Sequence, residues 1–371
     1  MTDIAADERL KLNDCDREPI HVPEAIQPHG LLFVVSPESL TVRREAGRIA
    51  SVTGRESWLG ESIETVLGGT VVTRLRRATD VGEAGFVGRW RGEDGLDYDI
   101  IVHRRDADLV VEVEEGSPAA QPGVELISRL DAAGMALERA TSVRAVGERA
   151  AEAFRDLTGF DRVMIYRFLE DEAGQVVAEA RSAGVESFQN HHFPATDIPQ
   201  QARALYLRNP VRVIPDARYT PEPLRPASPD APLDMSDCGL RSVSPVHLQY
   251  LANMDVRASA SVSIIVDGDL WGLVACHSAA PHRLPFELRT AAATLARGLA
   301  RQLKSKGDAE LYRDRTRLRQ LEDELIGHLP ADRPLIEALS RNARDLADLV
   351  DADGVAILGE GGWRQIGRAH V

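Results

Sequence analysis

The chain has 371 residues, 43% of them hydrophobic, so it exceeds one ordinary domain and carries enough apolar mass for two or three cores. Its 44 basic against 58 acidic residues leave a net charge of −14, which repels phosphate backbones and anionic headgroups and argues against nucleic-acid and membrane partners. No apolar run reaches the roughly 20 residues of a membrane span, and the polar start MTDIAADERLKLND lacks the basic-then-apolar pattern of a secretion signal. Three cysteines, Cys15, Cys238 and Cys276, have no close metal-site spacing and cannot all pair within one chain. A reduced, cytoplasmic location is expected.

The first segment, about residues 20 to 118, alternates strand candidates with turns: LLFVV, TVRRE, GFVGRW, DYDIIVHRR and LVVEVEE, with GEDG as one turn. SPAAQPG, residues 117 to 123, reads as a linker. The second segment opens with one long helical pattern, in which Leu126, Leu130, Leu137, Val143, Val146 and Phe154 recur near helical period and Gly159 closes it. DRVMIYRFLEDEAGQVVAEAR predicts two strands around EDEAGQ, and SASVSIIVDGDLWGLVACHS two more around Asp267-Gly268. Pro285 to about Gly327 is almost free of helix breakers and predicts a long helix, either solvent-exposed or paired as a coiled coil with imperfect heptads. From about Arg333 a further helix and the strand GVAILGE begin, too little to bury a core. Something is therefore expected beyond the C-terminus, and Ile366 to Val371 matches the translation of a sequencing adapter, so those residues are expected to be non-native. The nucleotide sequence tests this, since other codons refute it.

Chemistry concentrates in the second segment. Arg212 and Arg241 each offer a planar fork to a carboxylate, and Ser259, Ser261 and Ser263 alternate along one strand and so share a face. Together they suit a ligand bearing two acids. His247 and His277, with Tyr166 and Tyr250, can hydrogen-bond a nitrogen heterocycle. A metal reading of the histidines is weak, because His191 and His192 are adjacent and no H-x-x-x-H pattern occurs. A hydrolase is disfavoured as well: there is no G-x-S-x-G elbow, and Cys276 and His277 fall on opposite faces of a strand. By local rules alone, Asp197 in NHHFPATDIPQQARALY is a turn or N-cap residue before a helix that Pro199 helps to start.

At these residues the chain resembles a bacteriophytochrome, a light receptor that binds a linear tetrapyrrole and is built from PAS, GAF and PHY domains. FPATDIPQQARALY resembles the PASDIP motif of that family, DRVMIYRF its first GAF strand, and LRSVSPVHLQYLANMDV followed by SVSIIV and LWGLVACH its chromophore pocket, while PEAIQPHG resembles the start of its PAS domain. The resemblance covers residues 12 to about 365. It implies an α+β chain: an N-terminal extension (1–19), a PAS domain (20–118), a GAF domain (124–305), a helical linker (306–332) and a truncated PHY start (333–371). The PAS and GAF domains would be antiparallel sheets flanked by helices and joined by a figure-of-eight knot.

Carried over residue by residue, the resemblance makes Cys15 the thiol that adds to ring A of biliverdin IXα; without it, Cys15 is a free cysteine on a tail. Asp14 and Asp16 flank it and raise a thiol's pKa, so its reactivity would come from positioning beside bound bilin. Other phytochromes carry their cysteine just before the histidine that is His247 here, where this chain has Val246, so biliverdin is the bilin implied. Asp197, with Ile198 and Pro199, would face the pyrrole nitrogens. His247 would tune the ring A to C proton and His277 would bind the ring D carbonyl, where either is otherwise an ordinary core histidine. Arg212 and Arg241, with Ser259 and Ser261, would hold the propionates, and Ser263 would belong to the same site. Tyr166, Phe188, Phe193 and Tyr250 would surround ring D, with His191, Tyr206 and Ile26 completing the site, Ile26 as the residue threaded through a loop near 225 to 246. Thr196 stands where the family usually has serine, a minor change.

The implied function is red/far-red photoreception by bilin photoisomerisation, as the sensory part of a histidine kinase that forms a homodimer through its helical spine. The chain has no phosphoacceptor block or nucleotide-binding glycine motif of its own. The family's PHY hairpin, which meets the aspartate that is Asp197 here, falls outside these residues, so a poorly formed far-red state is expected. The alternative is a PAS-GAF module that binds a small regulatory ligand such as a cyclic nucleotide.

Overall fold

In the computed structural model, which describes residues 18–81, 85–116, 123–228, 232–329, 333–359 and 362–367, the chain divides into two compact units, Met1–Leu303 and Lys304–Val371. Among the described residues the first holds two large antiparallel sheets and a two-stranded pair. Strands β1 (Ala25–Ile26), β2 (Gly30–Val35) and β3 (Val42–Ala46) precede three helices, α1 (Ile49–Thr53), α2 (Ile63–Leu67) and α3 (Gly69–Val81). Then come β4 (Gly85–Arg91), β5 (Asp97–Arg105) and β6 (Asp108–Glu115), giving a five-stranded sheet in the order β3-β2-β6-β5-β4. Alternate residues of β2 divide its two faces. Leu31, Phe33 and Val35 join Trp58, Ile63 and Leu75 in a core beneath the helices, while Leu32 and Val34 meet Ile26, Leu224, Met235, Cys238 and Leu240 on the other side.

The second sheet follows two helices, α4 (Gly123–Arg139) and α5 (Val143–Thr158), where the sequence reads as one. Helical period continues across the gap, but Ser142 is extended and its hydroxyl accepts from the Ala145 amide at 3.1 Å, so it starts a new helix. Such a cap is worth about 1 kcal/mol. Gly159 closes α5 at φ +74°, as expected. Strands β7 (Arg162–Phe168), β8 (Gly174–Arg181), β9 (His192–Phe193), β10 (Val211–Ile214), β11 (Glu222–Pro223), β12 (Ala258–Val266) and β13 (Asp269–Ser278) follow, with α6 (Gln200–Arg208) and α7 (Pro245–Asn253) between them. Six of the strands form one sheet, β10-β12-β13-β7-β8-β9. The turn between β12 and β13 uses Asp267 at φ +55° and Gly268 at φ +94°, the paired left-handed conformation of a tight hairpin.

The two sheets are tied by a crossing. Ile26 pairs with Glu222 in β11 and bridges to Arg241, so β1 lies between two stretches of a single loop about 190 residues later in the chain. The fit is close: a Cβ on Gly30 would stand 2.8 Å from Leu240 Cδ1 and 2.7 Å from the Val113 carbonyl. The long helix α8, Phe286–His328, begins in the first unit and extends into the second. The second unit adds α9 (Leu335–Arg341), α10 (Ala343–Leu349) and a hairpin of β14 (Gly354–Gly359) with β15 (Gly362–Gly367). Its buried hydrophobics among the described residues are Leu325, Ala338 and Ala343, few for an independent core. No helix among the described residues is long and apolar enough to cross a membrane.

Candidate functional site

The register of the second sheet assembles the site. Ser259 lies opposite His277, Ser261 opposite both Arg212 and Ala275, Ser263 opposite Leu273, and Leu273 opposite Tyr166. Paired residues share a face, so these side chains form one surface. The residues between them, Val213, Ala260, Val262, Ile264, Val274 and Cys276, pack into the core under α5 and α8. Serine and alanine leave the middle of the surface low, and rings rise around it. A flat ligand suits such a floor.

One wall comes from residues 188 to 206. Phe188, Phe193, Ile198 and Tyr206 pack against Met164, Tyr166 and Leu273, with ring centroids 6.0 Å apart for Tyr166 and Phe193 and 6.1 Å for Phe188 and Phe193. Asp197 ends a short 3-10 turn, Ala195–Asp197. It does not cap α6, because the N-cap is Pro199, which makes no side-chain cap bond. Its carboxylate instead accepts from the Tyr250 hydroxyl on α7 at 3.1 Å. Burial raises the Asp197 pKa and the Tyr250 bond opposes the rise, while burial beside this carboxylate pushes Tyr166 up to about 12. The residue is a half-buried acid held by one donor.

The histidines are poised as neutral rings. Burial, then Arg212, lowers His247 to about 4, and burial, then Arg162, lowers His277 to about 3. Arg162 Nη2 lies 3.3 Å from His277 Nδ1. A guanidinium can only donate, so Nδ1 accepts and the single proton sits on Nε2, free to donate away from Arg162. The same guanidinium stacks 4.0 Å above the Phe188 ring. Arg162 thus sets both a tautomer and a wall residue.

Two guanidiniums complete the site, Arg241 buried and Arg212 half-buried. Arg212 donates to the carbonyls of Gly239, Arg241 and Ser242, and Arg241 to those of Met235 and Ser236. Among the described residues neither has a carboxylate within ion-pair distance. Burial and mutual repulsion lower Arg212 to about 9, and burial lowers Arg241. Carbonyl dipoles hold the forks in place without neutralising them. An anionic ligand with two acids is what this pair lacks.

Most of the sequence-derived residues therefore meet on one surface: Tyr166, Phe188, Phe193, Asp197, Ile198, Tyr206, Arg212, His247, Tyr250, Ser259, Ser261 and His277. Several stand apart from it. The Ser263 hydroxyl is committed to the Tyr206 carbonyl at 2.7 Å. Pro199 serves as the helix cap. Ile26 is fully buried in the apolar cluster of the crossing. His191 is exposed and touches the site only through the edge of Phe188, 5.5 Å between centroids; His192 is exposed as expected. Cys15 lies outside the described residues. Arg162 was missed, since a lone arginine opening a strand carries no signal; Arg203, which donates to the Ile198 carbonyl at 2.8 Å and so fastens the turn after Asp197, was missed likewise.

Comparison with known proteins agrees with this geometry. Residues 15–116 match the PAS fold model and residues 142–305 the GAF domain model. A bacteriophytochrome of Xanthomonas campestris pv. campestris is 38% identical over 94% of this chain and 56% of its own length. A cyanobacterial phytochrome B of Nostoc sp. is 33% identical over 99% of this chain and 50% of its own. The chain thus spans about half the length of these relatives. Among solved structures, the chromophore-binding domain of an unusual bacteriophytochrome from R. palustris superposes with a TM-score of 0.75 at 38% identity, covering 80% of this chain and 99% of that one. The photosensory core module of a Stigmatella aurantiaca phytochrome gives 0.81 at 36% identity, covering 96% and 73%.

Proposed function

Because the chain belongs to the phytochrome family, whose bacterial members are its relatives, we propose that it is the light-sensing part of a red/far-red photoreceptor that holds biliverdin IXα on the surface just described. The observation that carries this reading is the pair of guanidiniums, half-buried Arg212 and buried Arg241, which among the described residues have carbonyls but no carboxylates as partners. A bilin brings two propionates, and charge-assisted bonds to them are worth roughly 1.5–3 kcal/mol each. The low serine and alanine floor accepts its flat rings. His277 Nε2 can donate to a ring carbonyl, since Arg162 fixes its tautomer.

When bound, the bilin supplies a conjugated chain whose double bond between rings C and D isomerises on absorbing light. The protein's share is positional. Tyr166, Phe188 and Phe193 enclose a terminal ring without covalent restraint. His277 would hold that ring's carbonyl through its Nε2 proton. Asp197, neutralised by no cation among the described residues and bonded only to Tyr250, is the group free to take a new donor. His247 stays a neutral ring and can accept or share a pyrrole proton. Cys15 would supply the thiol for a thioether to ring A, its sulfur going to one vinyl carbon and its proton to the other. Val246, before His247, offers no rival thiol. Exposed Leu311 and Leu318, one heptad apart on α8, support a helix-to-helix homodimer that passes the change to a kinase in the complete protein.

The test is to mix the untagged chain with biliverdin and record absorption before and after red light, with zinc-enhanced fluorescence of the denatured band. A red-absorbing adduct, light-induced bleaching and a band lost only in Cys15→Ala are expected. No colour, with heat released on titrating a cyclic nucleotide instead, would overturn the reading.

A further inference from the structure

A second constellation lies away from the cleft, where the loop of the crossing presses on the first sheet. His103 in β5 pairs with Val110 in β6, and Ile101 pairs with Glu112, so His103 and Glu112 share one sheet face. Cys238, from the loop, comes down on them. Its Sγ is 3.6 Å from His103 Nε2, and one ligand atom from each of the three residues lies within 4.8 Å of the others. They are nearly sealed, with exposures of 4% for His103, 1% for Glu112 and 0% for Cys238. Leu32, Val34, Val110, Met235 and Leu240 surround them. The sequence gives no hint of the cluster, because its members are 9 and 126 residues apart along the chain.

Three metal-ligating groups in an apolar pocket call for an explanation. The three converge from two sides of one ring: Cys238 Sγ faces His103 Nε2 at 3.6 Å and Glu112 Oε1 lies 3.8 Å from His103 Nδ1. A thiol is a weak hydrogen-bonding group, a modest return for placing it against two other ligating side chains here. Yet the carboxylate is aimed, because the amides of Gly239 and Leu240 donate to its two oxygens at 3.1 and 2.7 Å. That is how outer-sphere donors fix a ligating carboxylate. Thiolate, carboxylate and imidazole with one divalent cation sum to zero charge, the condition under which burial stops opposing the ionised ligands.

We propose that His103, Glu112 and Cys238 form a site for a borderline-soft divalent cation of the zinc type, which fastens the loop of the crossing to the first sheet. Sulfur, nitrogen and oxygen donors in one tetrahedral set select zinc or cobalt over calcium or magnesium. Metal–ligand bonds near 2.0–2.3 Å place tetrahedral ligand atoms roughly 3.5 Å apart, so the widest separation here closes by up to about 1.5 Å. Binding takes up M²⁺ and releases the Cys238 proton to solvent, so the thiolate–metal bond replaces the S–H bond. The fourth position is left for water. Because Cys238 belongs to the loop that embraces β1 and the other two ligands belong to the first sheet, loading locks the crossing against local opening.

The experiment uses the untagged chain without bilin, so its failure is separable from failure of the photoreceptor reading. After chelator treatment, cobalt(II) is titrated and the near-ultraviolet thiolate-to-cobalt charge-transfer band is followed. One equivalent per chain is expected, displaced by zinc, retained in Cys15→Ser and lost in Cys238→Ser. No band in the native chain, or a band that follows Cys15, overturns the proposal. Should Cys238→Ser fail to fold, X-ray absorption fine structure of the zinc-loaded native chain decides, because a first shell of one sulfur with nitrogen and oxygen supports the site and a sulfur-free shell refutes it.

Discussion

Arg289 and Arg212 are both half-buried cations of the first unit, and they behave in opposite ways. At Arg289, on α8, burial opposes the charge but Glu114 of the first sheet more than reverses it, through an ion pair, and the pKa rises. At Arg212, burial and the neighbouring Arg241 act together and the pKa falls to about 9. The first pair is finished by the fold. The second has carbonyls but, among the described residues, no carboxylate as partner, an arrangement that suits an anionic ligand.

The contrast can be broken by mutation. Glu114→Ala leaves Arg289 unpaired and is expected to cost roughly 3–5 kcal/mol of stability, read from denaturant unfolding, while biliverdin affinity stays nearly unchanged. Arg212→Met should do the reverse. Stability holds or rises slightly as a half-buried charge goes, while biliverdin affinity drops about 10- to 150-fold, equivalent to roughly 1.5–3 kcal/mol. If both variants lose stability equally and bind equally, the distinction fails.

The histidines sharpen it through pH. His247 and His277 have folded pKa values of about 4 and 3, below the unfolded value of 6.5. The unfolded chain therefore binds more protons below pH 6.5, so their contribution is fully present above that pH and is lost as pH falls toward 4 and 3. Each steepens the loss by up to about 1.4 kcal/mol per pH unit. His277→Gln should flatten the stability profile of the bilin-free chain between pH 6 and 4, and an unchanged slope would count against a buried neutral ring. The smallest effect is expected for Tyr250→Phe, which removes the bond to Asp197 at a cost of about 1 kcal/mol. The Asp197 pKa rises further without it, which infrared difference spectra of the carboxyl band can follow.

Legibility differed between these regions for definable reasons. The five strands of the first sheet and both hairpins of the second were readable because period-2 alternation and turn residues such as Asp267-Gly268 are local. The division of α4 from α5 was not, since helical period persists across Ser142 and only the cap bond reveals the break. In the site, alternation alone put Ser259, Ser261 and Ser263 on one face, yet it could not show that Ser263 spends its hydroxyl on the Tyr206 carbonyl. It left Asp197 as a capping candidate, where the structure turns the carboxylate to Tyr250. Arg162 was invisible because its meaning lies in His277, 115 residues away.

By itself, the sequence determined the features that residue spacing encodes: two sheet-and-helix cores, a long helix, a segment dense in histidine, arginine and serine, and through its motifs a family. Tertiary structure alone decided which cation meets a carboxylate, which histidine nitrogen carries the proton, and that His103, Glu112 and Cys238 meet at all. Periodicity records which face a side chain occupies. Partners depend on strand register and on the crossing of β1 through its loop, and those contacts join residues more than a hundred positions apart.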